Sequence, residues 1–235
     1  MGENEPPTAV QLRRMQSVRR AACFVLPFLL SSKRLGCIWL FCRMTQPLHL
    51  QPLAADIVPR LETPDLLLRG PQISDLPEFA ALGADPAYYR YLGNKSQNEE
   101  EMWRRLLGQL GHWALLGFGA WSIEEKATGR FLGNVGFFDF QRDLTPSLKG
   151  TLEAGWTLAP RVHGRGYGTQ AVQAALGWIE PRFPTARLTC IIDPDNEPSL
   201  RLAHKFGFRE FARTPYHGEP VVLLERTTDS GGVVG

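Results

Sequence analysis

Glycines alternate at 164, 166 and 168 within Arg161-Val-His-Gly-Arg-Gly-Tyr-Gly-Thr169, and what flanks them leaves few folds open. Ahead of the run, Thr151–Ala159 reads as a strand. Behind it, Thr169–Phe183 carries Ala171, Val172, Ala175, Leu176 and Ile179 at helical spacing, as a helix facing a sheet would. Alternating glycines let the backbone turn tightly and aim consecutive N–H groups into one concavity. The helix adds its free N-terminal donors and the positive end of its dipole. Together these suit a pyrophosphate. Alone, the pattern also fits a plain glycine-rich connection. A Walker loop would end in Gly-Lys-Ser/Thr, which is absent, and in a dinucleotide fingerprint the third glycine would come later.

The remaining elements follow from periodicity and punctuation. Leu66–Arg69 is a short apolar run stopped by Gly70-Pro71. Ser74 or Asp75 is placed to cap a helix with Leu76, Phe79, Ala80 and Leu82 on its apolar face. Ser96 and Glu99 fit a capping box, and Met102, Trp103, Leu106, Leu107 and Leu110 predict a helix over 97–116. Gly119–Glu124 and Arg130–Phe140 read as strands joined by a turn at Ala127–Gly129, and 141–150 as a polar loop. Pro181 and Pro184 limit the glycine-led helix. Ala186–Asp193 reads as a strand, Ser199–Phe206 as a helix and Val221–Arg226 as a last strand. Hairpins ahead of a strand–helix–strand unit require a mixed sheet. The fold class is α/β of the α+β type, without an internal repeat.

Composition bounds the rest. A chain of 235 residues with 43% hydrophobic residues holds one sizeable core, or one domain and a tail. The net charge of +2 is too small to argue for nucleic acid. It is also uneven, +5 over residues 1–44 and −3 over the remainder. Cys23, Cys37 and Cys42 lie in the tail and Cys190 in the expected domain, with no metal-ligand spacing. Cys190 in a strand pattern reads as a small buried hydrophobe. A reducing compartment is the default. Residues 21–30 and 35–42 are apolar, but Lys33 and Arg34 interrupt them and each run is too short to span a bilayer. Four arginines ahead of the first run invite a signal-peptide reading, and SSKR is a poor cleavage site. Residues 1–59 are expected to be a tail and linker, with translation starting at Met44, a targeting or membrane-surface segment, or an ordered extension as the alternatives. The domain is expected over 60–228 and a flexible end over 229–235.

The stretch Leu152-Glu-Ala-Gly-Trp-Thr-Leu-Ala-Pro-Arg-Val-His-Gly-Arg-Gly-Tyr-Gly-Thr169 resembles the acetyl-CoA motif of the GNAT N-acetyltransferase superfamily, in particular its RimJ/RimL-like branch. Asn196-Glu-Pro-Ser-Leu-Arg-Leu-Ala-His-Lys-Phe-Gly-Phe208 resembles that branch's second signature, and Thr63-Pro-Asp-Leu-Leu-Leu-Arg69 its opening strand. The resemblance implies a single domain with a mixed, mostly antiparallel twisted sheet flanked by helices, its strands 151–159 and 186–193 splayed. The main chain of Thr157, Leu158 and Ala159 would take the pantetheine arm of acetyl-CoA as an added strand. The amides of Val162, His163, Gly164, Arg165, Gly166, Tyr167, Gly168 and Thr169 would hold its pyrophosphate. Arg165 could add charge, and Asn196 would contact the coenzyme or cap the last helix. Lys205, Gly207 and Phe208 read as structural.

The reaction implied is attack of an amine on an acetyl thioester, with no metal and no cysteine acyl-enzyme. Glu153 matches a family carboxylate and is the candidate base, directly or through a water; an ordinary outward-facing strand Glu is the alternative. Ser199 is read as that helix's N-cap or as a group near the thiol. The backbone N–H near Leu158 would polarise the thioester carbonyl. Where many relatives carry a tyrosine acid, this chain has Ala203. Tyr216 and His217 are read in a late loop. Partners are acetyl-CoA and an amine acceptor, a protein N-terminal α-amine or a small molecule, in a cytoplasmic monomer or homodimer. Asp85, Glu99, Glu100, Glu101 and Asp143 either favour cationic acceptors or form a solvated acidic surface. An acetyl-CoA-binding regulatory module without turnover and a membrane-anchored interaction protein are the competing classes.

Overall fold

A computed structural model describes residues 57–226. The expectations for the three tail cysteines, the apolar runs, Met44 and the extreme C-terminus lie outside the described residues. Eight strands form one sheet: β1 (Leu61–Glu62), β2 (Leu66–Arg69), β3 (Ala120–Glu125), β4 (Phe131–Phe138), β5 (Leu152–Leu158), β6 (Leu188–Ile192), β7 (Arg209–Tyr216) and β8 (Glu219–Arg226). Their order is β1-β2-β3-β4-β5-β6-β8-β7, and every neighbouring pair is antiparallel except β5–β6. The helices are α1 (Leu76–Gly83), α2 (Pro86–Tyr89), α3 (Glu99–Leu116), α4 (Tyr167–Ile179) and α5 (Glu197–Lys205).

Local chemistry sets the boundaries. The capping box of α3 is Asn98–Glu101, two residues beyond the expected Ser96–Glu99. Three successive glutamates give the box more than one possible frame, and Asn98 accepts from Glu101 N at 2.9 Å. The helix ends at Gly117, whose φ of +75° suits glycine best. Asp75 does not cap α1 with its side chain. Its carboxylate is drawn instead to the buried Arg69 guanidinium (2.7 and 2.9 Å), Gln72 N and Ser122 Oγ, tying β2 to β3. Trp113, Trp121 and Trp178 meet edge to face at 4.7–5.4 Å and join α3, β3 and α4 in one core. Phe79, Met102, Phe137, Ile179 and Phe208 are fully buried in the same core.

Three elements escaped the sequence reading: β1, the one-turn α2 and β7. The late loop is a β7–β8 hairpin, with Tyr216 ending β7 and His217-Gly218 forming its turn at φ +51° and +88°. Two positive φ values in a two-residue turn match the strands' twist.

The parallel pair β5–β6 is joined only at Leu152↔Leu188 and Glu153↔Thr189. Beyond Glu153 the strands part, while β5 stays paired with β4 as far as Leu158. The split opens toward the glycine run.

Candidate functional site

Strand geometry decides what the split exposes. Leu152 N donates to Arg187 O on the β6 side, and Ala159 N to Leu132 O on the β4 side. Alternation then turns the main chain of Ala154, Trp156 and Leu158 into the split. Thr157 pairs with Asn134, and Ala159 is fully buried, so their main-chain groups face β4 rather than an added strand. Thr157 still lines the cleft, and its Oγ1 accepts from the buried Tyr88 hydroxyl at 3.1 Å.

At the mouth of α4 the chain makes a 3-10 turn, Pro160–Val162, that uses the amides of Val162 and His163 on Ala159 O and Pro160 O. Those two donors are therefore spent. From Gly164 to Thr169 six successive amides find no hydrogen-bond acceptor among the described residues. Gly164 and Gly166 both sit at φ +77°, a conformation that costs other residues about 1–2 kcal/mol. Space at Gly168 is tight: a Cβ there would lie 3.3 Å from the end of the Leu202 side chain of α5. A cleft of about 510 Å³ runs along Leu158, Val162, His163, Gly164 and Gly166 to Thr169, with Asn196, Arg201 and Leu202 opposite.

Side chains around this cleft depart from expectation. His163 Nε2 lies 3.1 Å from Leu158 O; that carbonyl only accepts, so Nε2 carries the proton. Arg165 turns away from the cleft onto Glu125 (3.1 Å) and lies over the Tyr167 ring. Tyr167 is buried and also donates to Glu125, at 2.9 Å. Asn196, not Ser199, caps α5: its Oδ1 accepts from Ser199 N at 3.2 Å. Asn196 starts the turn with the right reach, and Ser199 already lies inside the helix. Ser199 Oγ accepts from the Trp156 indole at 3.3 Å, which leaves its own hydrogen free to donate.

A second chamber of about 420 Å³ adjoins the first, and Tyr91, Leu92, Trp156, Thr157, Asn196 and Ser199 line both. Its far wall is one stripe of α3, Arg105, Gly108, Gln109 and His112, over Asn134 and Phe138 of β4. Glu153 lines it from β5 and is 6% exposed, so it is not an outward-facing strand residue. Arg142, from the loop read only as polar, grips both Glu153 oxygens at 2.8 Å and donates to Tyr216 Oη at 3.1 Å. Burial pulls the Arg142 guanidinium down, and the Glu153 carboxylate outweighs it and holds the group above its ordinary pKa. Burial pushes the Cys190 thiol far above its usual range, which suits a packed hydrophobe and not a nucleophile. His112 Nδ1 lies 2.9 Å from Gly108 O, so Nδ1 carries the proton and the neutral ring keeps Nε2 as an acceptor.

The acidic residues read either as attracting cations or as a solvated surface are elsewhere. Asp85 caps α2, Glu101 belongs to the α3 capping box and Glu100 pairs with Arg104. Neither these nor Glu99 and Asp143 line the second chamber.

Residues 65–209 match the family model of the acetyltransferase (GNAT) domain. The chain belongs to the GNAT acetyltransferase family. It is 31% identical over 153 residues to the protein YkkB of Bacillus subtilis (strain 168), covering 63% of this chain and 83% of that one. A GnaT-family acetyltransferase from Bordetella pertussis superposes with a TM-score of 0.64 at 29% identity, over 72% of this chain and 99% of its own. A RimL ribosomal L7/L12 alpha-N-protein acetyltransferase in complex with coenzyme A shares the fold at 18% identity and a TM-score of 0.59, over 72% and 97% of the two chains. In this GNAT domain the sequence motifs mark the first chamber. They miss Asn134, Gln109, His112 and Arg142, which lie 10–43 residues ahead of the Leu152–Thr169 stretch and meet only in three dimensions. Among the described residues no helix is long and apolar enough to cross a membrane, and no cluster has the makings of a metal site.

Proposed function

We propose that the protein transfers the acetyl group of acetyl-CoA to a primary amine, with the first chamber taking the coenzyme and the second the amine. What carries this reading is the six free amides from Gly164 to Thr169 at the N-terminus of α4. A row of donors at a positive helix end fits a diphosphate, and a cleft of about 510 Å³ leads from it to the junction. Acetyl-CoA would supply an acetyl thioester there. Gly164 to Thr169 would hold its diphosphate, and the main chain of Trp156 and Leu158 its pantetheine arm. Asn196 both caps α5 and lines this cleft.

In the transfer the amine nitrogen bonds to the acetyl carbon, the carbon–sulfur bond breaks, and the amine's proton ends on the coenzyme sulfur. Leu158 N–H faces the split and would polarise the carbonyl. Glu153 keeps two lone-pair sites beyond those taken by Arg142, enough to accept a proton through a water. Arg142 would hold that carboxylate in place. Ser199 would donate its free hydrogen near the departing sulfur. Ala203 carries only a buried methyl group, so α5 offers no side-chain acid at that position.

The acetyltransferase domain spans 60–228 in this reading. It works in the cytoplasm, where acetyl-CoA is available, as a monomer or homodimer without a metal, on a small amine or a protein N-terminal α-amine. Release of free thiol from acetyl-CoA over a panel of amines tests it. Turnover with at least one amine is expected, and Glu153→Gln lowers it about 10²-fold or more. Unchanged rates in Glu153→Gln remove that residue from the reaction. Coenzyme binding without turnover on any amine favours a regulatory module instead.

A further inference from the structure

Asn134 of β4 lines the second chamber with 5% of its surface exposed. Its Nδ2 donates to Gln109 Oε1 (3.3 Å) and lies 3.5 Å from Trp121 O. The Trp121 carbonyl can only accept, and this fixes which way the amide is turned. Asn134 Oδ1 is buried and meets no donor, the only side-chain polar atom in that state among the described residues. A buried acceptor left unmade costs about 1–3 kcal/mol. Such an atom in the wall of a cleft marks where a donor arrives.

Its position says which donor. Asn134 faces Thr157 in register, and Thr157 lines both chambers. The unmade acceptor therefore stands one strand from the junction where acetyl group and amine must meet. The chamber's walls describe the rest of the ligand. Phe138 and Phe140 stack at 4.7 Å, and the His112 ring stands edge-on to both at 5.4 and 5.6 Å. The charged lining residues balance, Arg105 and Arg142 against Glu153 and Asp193, and Glu153 is already paired with Arg142. A polycation finds no surplus carboxylate there. A primary amine on a flat apolar body finds aromatic walls and one waiting carbonyl oxygen.

Building on the transferase reading, we infer that Asn134 Oδ1 receives an N–H of the acceptor, and that the acceptor is a primary amine carried on an aromatic body. Calorimetry on the full chain tests this with 2-phenylethylamine, spermidine and, separately, acetyl-CoA, on the natural protein and on Asn134→Leu. The leucine is of similar size; it abolishes the orphan oxygen but also takes the donor from Gln109 Oε1, so the two effects oppose each other and Asn134→Leu should melt within a few degrees of the natural protein. The expected result is binding of 2-phenylethylamine that weakens about five- to tenfold in Asn134→Leu, the worth of one hydrogen bond. Spermidine binds more weakly than 2-phenylethylamine, and acetyl-CoA binds both proteins alike. In the natural protein the Asn134 side-chain amide resonances shift on adding 2-phenylethylamine, a readout that needs no variant. Equal 2-phenylethylamine affinity in both proteins, tighter spermidine binding, or no Asn134 shift at saturation overturns the inference. Failure of acetyl-CoA to bind either folded protein overturns the transferase reading instead, whatever the amines do.

Discussion

The two chambers are made of different material. The first is main chain: six amides of the glycine run and the open edge of β5. The second is side chain, gathered from α3, β4, β5, β6 and the loop at 139–151. Main-chain recognition needs only a backbone conformation, so it tolerates changes of side chain and is sensitive at the glycines. Side-chain recognition can be re-aimed one residue at a time. A fold with both can keep one ligand while exchanging the other.

The sharpest way to break this contrast is Arg142→Ala. It leaves Glu153, 6% exposed, as an unpartnered buried carboxylate. A loss of about 3 kcal/mol is expected in denaturant melts. Acetyl-CoA affinity measured below the melting temperature should change little. A large loss of coenzyme affinity in folded Arg142→Ala would mean that the chambers are not separable.

Gly166→Val attacks the other side. A β-branched residue at φ +77° is strained, and the amides beside it lose their common aim. Coenzyme binding should weaken by about 2 kcal/mol, some thirtyfold, with amine binding preserved. Equal acetyl-CoA affinity would show that the run is only a connection. The smallest effect is expected for Asn196→Ala, which removes the cap of α5 and costs about 1 kcal/mol of stability. Because Asn196 lines both chambers, it also sharpens the comparison: a cap-only role predicts equal, small losses for both ligands.

The same contrast explains what could be read from the sequence. The glycine run, β5 and the start of α5 are each contiguous, and the role proposed for them rests on backbone shape that glycine spacing reveals. The long elements α3, β4 and α4 followed from periodicity. Strand β7, with its exposed residues and Pro215, has no apolar alternation to betray it. Arg142 lies in a loop with no period at all, 11 residues from the carboxylate it holds. Asn134 is the one polar residue of a strand that otherwise holds apolar residues and glycine, with no alternation to say which way it faces, and its side chain meets the α3 stripe. Within the motif itself, spacing could not tell which amides the 3-10 turn consumes, nor that Arg165 would pair with Glu125.

The central claim is that the backbone from Gly164 to Thr169 holds the diphosphate of coenzyme A. Amide resonances of those residues, followed during titration of the folded full chain with acetyl-CoA, test it most directly. The account predicts saturable shifts concentrated at Gly164–Thr169, with the spent amides of Val162 and His163 moving less. Shifts that bypass this run, or none at all in folded protein, would contradict it.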